Sequence, residues 1–157
     1  MNKKSRELHE HFMGKCISLA EIALKSGDPP VGSILVWNYS IIGRGIESSK
    51  STLDITNHAE ILAIKDAIKK GNSPILKETV LYSTHEPCMM CSYVLRHYKI
   101  PQIVFGAAVD FVGGFSSRMN VLTTKAVPKW ENKPTIVHGV CIRECLELNK
   151  KFEESIF

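Results

Sequence analysis

The sequence predicts an α/β fold, namely a three-layer α/β/α sandwich built around a mixed five-stranded sheet. Helical and strand-like patterns alternate along the 157 residues. From residue 79 onward they follow the order strand, helix, strand, helix, strand, which implies right-handed parallel crossovers. Before that point, two short apolar runs flank Asn38-Tyr39 and predict an antiparallel hairpin. The length suits one domain over residues 1–157.

Each element is predicted by its own local pattern. An apolar stripe that ends at Gly27 predicts the first helix. Asn57 is the predicted N-cap of the second helix, and Pro87 marks the start of the third. Residues 48–56 are polar and predict a loop before the second helix. The predicted helices are 5–26, 58–70, a helix from residue 87, 117–122 and 141–157, and the predicted strands are 31–37, 40–45, 79–84, 102–107 and 135–140.

Composition and charge exclude several classes of protein. No apolar run reaches the length needed to span a membrane, and the polar residues 1–10 do not resemble a secretory signal. Five cysteines, an odd number with metal-like spacing, indicate reduced thiols and a cytoplasmic protein rather than a disulfide framework. The formal net charge of +4 comes from scattered basic residues, which permits contact with a polyanion without requiring it.

The pattern His58-x-Glu60, followed by Cys88-x-x-Cys91, supplies the ligands of a zinc site. One imidazole and two thiolates leave the fourth tetrahedral position free for water, which is typical of catalytic zinc. Such water is more acidic and can attack an electrophilic carbon near neutral pH. Glu60 lies too close to His58 to share its ligand role on one helix face, so we expect it to transfer the proton. His58 and Cys88 are both predicted at helix N-termini, where the dipole favours thiolates and hydroxide.

Other interpretations of these residues stay open. Cys88-x-x-Cys91 alone is also the spacing of a redox pair. Cys141 and Cys145 can complete a structural zinc site, although their spacing of four on a helix favours packing in the core. His85, three residues before Cys88, is a candidate fourth ligand that would close the metal site.

The chain resembles the cytidine deaminase-like superfamily of zinc nucleobase deaminases, whose His-x-Glu and Pro-Cys-x-x-Cys signature it carries. Its layout is most similar to bacterial tRNA adenosine deaminases and to guanine or cytosine deaminases. The likeness covers nearly the whole chain, in the motifs Pro30-Val31-Gly32, His58-Ala59-Glu60-Ile61, Glu86-Pro87-Cys88-Met89-Met90-Cys91, Val104-Phe105-Gly106-Ala107 and Met119-Asn120-Val121-Leu122.

The resemblance implies a zinc-dependent hydrolase that replaces a ring amino group of a nucleobase by a carbonyl and releases ammonia. It implies His58, Cys88 and Cys91 as zinc ligands and Glu60 as the proton shuttle. The backbone amides of Ala59 and Cys88 would then bind the substrate ring, as the donors of an oxyanion hole do.

Two departures from the tRNA enzymes bear on the substrate. Glu47 stands where those enzymes place an Asn, and a carboxylate accepts hydrogen bonds but cannot donate them. That suits a donor-rich ring such as guanine, although an exposed glutamate on a loop explains the residue equally well. After Gly106-Ala107 the tRNA enzymes carry Arg-Asp, whereas this chain has Ala108-Val109-Asp110.

Three functions follow, in order of preference. The first is deamination of a free purine such as guanine, or of a nucleoside, so that the expected partner is a small molecule. The second is conversion of the tRNA wobble adenosine to inosine, with the nucleotide splayed out of its loop. The third is a zinc-stabilised binding module without catalysis, which the presence of Glu60 disfavours. The resemblance also implies a homodimer and a C-terminal helix whose Phe152 and Phe157 close the pocket.

Overall fold

The computed structural model describes residues 1–156 and has the predicted three-layer α/β/α architecture. Phe157, which we expected to help close the pocket, lies outside the described residues. The helices are α1 (Lys3–Lys25), α2 (Ser49–Thr52), α3 (Ala59–Lys69), α4 (Met89–His97) and α5 (Ile142–Ile156). The strands are β1 (Gly32–Trp37), β2 (Ser40–Ile46), β3 (Val80–His85), β4 (Gln102–Ala107) and β5 (Thr135–His138). Among the described residues, no helix has both the length and the apolar character to cross a membrane.

The sheet is mixed and has the strand order β2-β1-β3-β4-β5. β1 pairs antiparallel with β2 and β3, whereas β3, β4 and β5 run parallel. Asn38 and Tyr39 connect β1 to β2 with positive φ angles of 46° and 62°, as a type I′ hairpin turn requires. The five-stranded sheet and its hairpin are therefore confirmed.

The two faces of the sheet carry separate apolar layers. On one face, α1 and α5 pack against the strands through residues such as Phe12, Met13 and Cys145. On the other face, α3 and α4 contribute Ile64 and Leu95. All five side chains are buried. Because the sheet is covered on both faces, polar chemistry is confined to its ends, where the parallel strands β3 and β4 finish side by side.

One predicted loop contains a helix. Residues 48–56 read as polar loop, but Ser49–Thr52 form the single turn α2. Asp28 explains the difference, because its Oδ1 accepts hydrogen bonds from the backbone N–H groups of Lys50 at 3.0 Å and Ser51 at 2.8 Å. These are free N–H groups of a helix start, and a carboxylate satisfies them. The capping residue is more than twenty positions away in sequence, so local composition did not reveal it.

The connection from β4 to β5 also differs from the prediction. The expected helix at residues 117–122 is wrong: in the described structure this segment forms turns, and the connector contains a 3-10 turn only at Pro128–Trp130. A side chain replaces the missing intrahelical hydrogen bonds. The buried guanidinium of Arg96 donates through Nη1 to three carbonyl oxygens of the connector, those of Val121 at 3.1 Å, Leu122 at 2.7 Å and Thr124 at 3.2 Å.

Candidate active site

Three ligand-capable side chains converge where α3 and α4 begin. The ligand atoms of His58, Cys88 and Cys91 all lie within 4.8 Å of one another. His58 Nδ1 is 3.5 Å from each of the two sulfurs. Among the described residues, neither His85 nor Cys141 joins this cluster. The cluster therefore offers three ligands, as the sequence pattern predicted, and not a closed set of four.

Local chain geometry explains why the ligands meet. His58 is the N-cap of α3 and Cys88 is the N-cap of α4, both with extended backbone. The prediction that Asn57 is the N-cap of this helix is wrong, because the side-chain amide of Asn57 donates instead to Thr52 Oγ1 at 2.9 Å. Gly45 of β2 allows the close approach: a Cβ atom there would lie 1.8 Å from the carbonyl oxygen of Ala59. The first turn of α3 is thus set directly against the sheet.

The donor set fits a tetrahedral zinc ion. Zinc bonds of about 2.05 Å to nitrogen and 2.3 Å to sulfur, at a tetrahedral angle, place the two ligand atoms about 3.5 Å apart. Both observed separations between nitrogen and sulfur are 3.5 Å. Hydrogen bonding with Cys91 lowers the pKa of the Cys88 thiol to about 4, and hydrogen bonding with Cys88 raises the pKa of His58 to about 9. The same interaction raises the pKa of the Cys91 thiol, so Cys88 is the sulfur favoured as a thiolate, the form that binds zinc.

Glu60 lies beside the cluster without belonging to it. Its carboxyl group is buried, with Oε2 3.5 Å from Cys91 Sγ, and Oε1 accepts a hydrogen bond from Ser83 Oγ at 3.0 Å. Burial raises its pKa to about 7. A carboxyl group with a pKa near neutrality can both accept and deliver a proton.

A cavity of about 280 Å³ opens beside these residues. Its lining contains carboxylates, imidazoles and apolar side chains, and neither Lys nor Arg: Pro29, Val31, Glu47, Ser49, His58, Glu60, His85, Glu86, Cys88, Val109 and Val112. The cavity is slightly smaller than most ligand pockets, which span about 300–1,000 Å³. Its size and polarity suit a neutral heterocycle rather than an anion.

Comparison with known proteins identifies the family. Residues 6–107 match the family described as the cytidine and deoxycytidylate deaminase zinc-binding region. The chain belongs to this family. It is 38% identical to the tRNA-specific adenosine deaminase of Aquifex aeolicus (strain VF5), over 80% of this chain and 85% of that protein. It is 32% identical to tRNA-specific adenosine deaminase 2 of Xenopus laevis, over 91% of this chain and 85% of that protein.

A solved structure from a study of A-to-I editing by tRNA:A34 deaminases is also similar. It superposes with a TM-score of 0.80 at 28% identity and covers 88% of this chain and 98% of that chain. The protein is thus a zinc-dependent hydrolase with the cytidine deaminase-like fold. The expected zinc cofactor agrees with both the family and the cluster of His58, Cys88 and Cys91.

Glu47 lies in the pocket of this deaminase, but the chain itself uses its carboxylate. Oε1 accepts hydrogen bonds from the backbone N–H of Ser49 at 3.1 Å and from its hydroxyl, and Oε2 accepts from the backbone N–H of Ala59 at 3.2 Å. The Ala59 amide, which we expected to hold the substrate ring, is therefore occupied by Glu47. The alternative interpretation, that Glu47 is an exposed glutamate on a loop, is also wrong, because only 4% of this residue is exposed.

Glu86 is a site residue that the sequence pattern showed only as part of a motif. Its carboxylate is buried and accepts four hydrogen bonds from the connector after β4. The donors are the backbone N–H groups of Val109 at 3.0 Å, Phe115 at 2.8 Å and Ser116 at 2.7 Å, and the hydroxyl of Ser116 at 2.6 Å. Since Val109 and Val112 line the pocket, Glu86 positions one pocket wall. A buried charge that needs distant donors has no local sequence signal.

Proposed function

We propose that His58, Cys88 and Cys91 hold a catalytic zinc ion and that Glu60 transfers the protons of a hydrolytic deamination. When bound, zinc supplies a Lewis acid that lowers the pKa of a water molecule at the open position. The distance between Glu60 Oε2 and Cys91 Sγ, 3.5 Å, is the observation that carries the proposal. It puts a buried carboxyl group directly beside the ligand cluster, and Glu60 also lines the pocket.

The reaction needs two proton transfers from one group. Glu60 accepts a proton from the attacking water and delivers it to a ring nitrogen. It then takes the remaining proton from the hydroxyl group newly bound to the ring carbon and delivers it to the departing amine. Ammonia leaves, and the ring carbon that carried the amine ends as a carbonyl. Ser83 donates to Glu60 Oε1, so the other oxygen stays directed towards Cys91 and the pocket. We propose Ser83 as the positioning residue of the shuttle.

We propose adenosine in tRNA as the first substrate to test. The relatives that match most of the chain are named as tRNA adenosine deaminases, and the cavity of about 280 Å³ admits one base at a time. Such a substrate has to place its target base outside the stack, as RNA recognition generally requires. The mild positive net charge of +4 is compatible with a polyanion.

A small purine with extra N–H groups is the second candidate. Glu47 brings an acceptor into the pocket wall, and its two oxygens have lone pairs beyond the hydrogen bonds they already accept. The pocket lining has no cation to hold a phosphate. Ala108-Val109-Asp110 also lacks the arginine expected of the tRNA enzymes at this point.

One assay separates the two candidates. Purified protein is given adenosine-34 tRNA, guanine, adenosine, cytosine and cytidine, and ammonia release and inosine content are measured. Turnover on tRNA alone supports the first candidate, and turnover on a free base or nucleoside alone supports the second. Glu60→Ala should keep zinc and lose turnover, whereas His58→Ala should lose zinc. If Glu60→Ala retains most of its activity, the proposed shuttle is wrong.

We propose that the enzyme is a homodimer joined through α3 and α4. A largely apolar groove of about 350 Å³ runs between these helices and includes Ile61, Ile64, Tyr93 and Val94. Tyr93 is 49% exposed in the single chain. Sedimentation equilibrium tests the proposal, because Tyr93→Glu should convert a dimer to a monomer if this face is the interface.

A further inference from the structure

His85 is a pocket residue without a role in the chemistry described above. It is the last residue of β3 and lines the pocket together with Glu60 and Cys88. It does not belong to the metal-ligand cluster of the described chain. Its two ring nitrogens have different surroundings: Nδ1 is fully buried and has no hydrogen bond of standard geometry. Nε2 also makes no hydrogen bond to residues 1–156, but unlike Nδ1 it is not fully buried.

Asn149 of α5 is the neighbour of this imidazole that raises its pKa, although no hydrogen bond of standard geometry joins the two side chains. Burial lowers the pKa of His85 to about 4. The Asn149 side chain has a smaller, opposite effect, because it favours the protonated ring. Asn149 Oδ1 is likewise fully buried and has no hydrogen bond of standard geometry among the described residues. A buried carbonyl oxygen beside a buried ring nitrogen is satisfied when that nitrogen carries the hydrogen. The ring is then neutral with its hydrogen on Nδ1, which leaves Nε2 as an acceptor.

The position of Asn149 is fixed by the packing of α5. Asn149 follows Cys145 by four residues and precedes Phe152 by three, so the three side chains share one helix face. Cys145 is buried, and a Cβ atom on Gly106 of β4 would lie 2.4 Å from its sulfur. Near the other end of this face, the ammonium group of Lys50 lies 5.5 Å from the centre of the Phe152 ring. Lys50 adjoins the pocket residue Ser49, so α5 lies against both the sheet and the pocket rim.

We propose that His85, oriented by Asn149, is a specificity-determining residue that accepts a hydrogen bond from an N–H group of the substrate ring. The proposal rests on the deaminase function proposed above and deepens it. A purine that carries an amino group besides the one it loses would satisfy Nε2, whereas adenine offers no such second amine. Together with Glu47, His85 makes the pocket wall rich in acceptors. His85 lies inside the matched family region of residues 6–107, whereas Asn149, on α5, lies outside it.

The test compares two nucleosides that lose the same 6-amino group, adenosine and 2,6-diaminopurine riboside. The wild-type protein should show the higher kcat/KM for the diamino compound. His85→Leu and Asn149→Leu should lower that preference by about five- to a hundredfold, because an unpaired buried donor carries such a penalty. Lys150→Ala, an exposed change on the same helix, is the matched control and should leave the ratio unchanged. An unaltered ratio in both leucine variants would overturn the proposal.

A second measurement does not depend on turnover. Nitrogen-15 NMR of the zinc-loaded protein should show His85 as the neutral tautomer with its hydrogen on Nδ1, and Asn149→Leu should produce a mixture of tautomers. A hydrogen on Nε2 in the wild-type protein would overturn the proposal. If the wild-type protein releases ammonia from no substrate but shows the expected tautomer and binds 2,6-diaminopurine through His85 in calorimetry, the catalytic proposal fails and the specificity proposal stands.

Discussion

The buried carboxylate of Glu86 gives the sharpest prediction about how the pocket is built. Glu86→Gln keeps the size of the side chain but replaces one oxygen by an amide NH₂. Oε1 accepts from the N–H groups of Phe115 and Ser116, and Oε2 accepts from the N–H of Val109 and the hydroxyl of Ser116. A hydroxyl can turn to accept, but a backbone N–H cannot. The least costly glutamine orientation therefore places NH₂ at the Oε2 position and loses the Val109 hydrogen bond.

The magnitude follows from this count of hydrogen bonds. One backbone N–H loses its acceptor, and the remaining bonds change from charge-assisted to neutral, which together cost on the order of 3 kcal/mol. For a chain of this size that corresponds to a fall in Tm of roughly 6–12 °C. Since Val109 and Val112 line the pocket, kcat/KM should fall as well, with the zinc content unchanged.

Thermal unfolding by circular dichroism, zinc analysis and ammonia release measure the three quantities. Glu131→Gln is the matched control, because Glu131 lies on the same connector and forms an exposed ion pair with Lys99. The control should change stability by less than about 0.5 kcal/mol. If Glu86→Gln melts within 1 °C of the wild type, a threshold set by the roughly 2–4 °C expected per kcal/mol, and keeps full activity, Glu86 does not hold the pocket wall.

Three further predictions concern the proposed zinc site. Gly45→Ala should lower the free energy of unfolding by about 1–3 kcal/mol and weaken zinc binding, because its Cβ would lie 1.8 Å from the Ala59 carbonyl oxygen. Calorimetry measures the stability and a zinc titration measures the affinity. Unchanged values in both would contradict the prediction. Ser83→Ala should lower kcat about tenfold through loss of a hydrogen bond to a buried carboxylate, with normal zinc content, and Ser155→Ala, an exposed serine on α5, is its control. Removal of zinc by a chelator should abolish turnover and lower Tm, and added zinc should restore both; activity that survives complete removal would argue against a catalytic metal.

The fold and the metal cluster were predictable because their signals are local. Apolar patterns predicted four of the five helices and all five strands found in residues 1–156, within a few residues of their bounds. The ligand pattern of His58, Cys88 and Cys91 depends only on spacing and on two helix starts. These ligand atoms do converge in the structure. Their convergence needs no information beyond the motif and the order of the strands.

The parts that could not be predicted depend on contacts between distant residues. α2 forms because Asp28 caps it. The connector after β4 has no helix at 117–122 in the described structure, because Glu86 and Arg96 satisfy its backbone groups instead. Glu47 suggested an acceptor for the substrate, but the structure shows it accepting from Ala59. In each case a buried charged side chain replaces a local hydrogen-bonding pattern, and one sequence alone does not show which partner a charge will find.

The central claim is that zinc has three protein ligands, with one coordination position left for water. X-ray absorption spectroscopy at the zinc edge of the purified protein tests it most directly. We predict one zinc per chain, with two sulfur neighbours at about 2.3 Å and two nitrogen or oxygen neighbours at about 2.0 Å, one of which exchanges when a competing anion is added. A spectrum with three or four sulfur neighbours, or a protein that binds no zinc, would contradict the account.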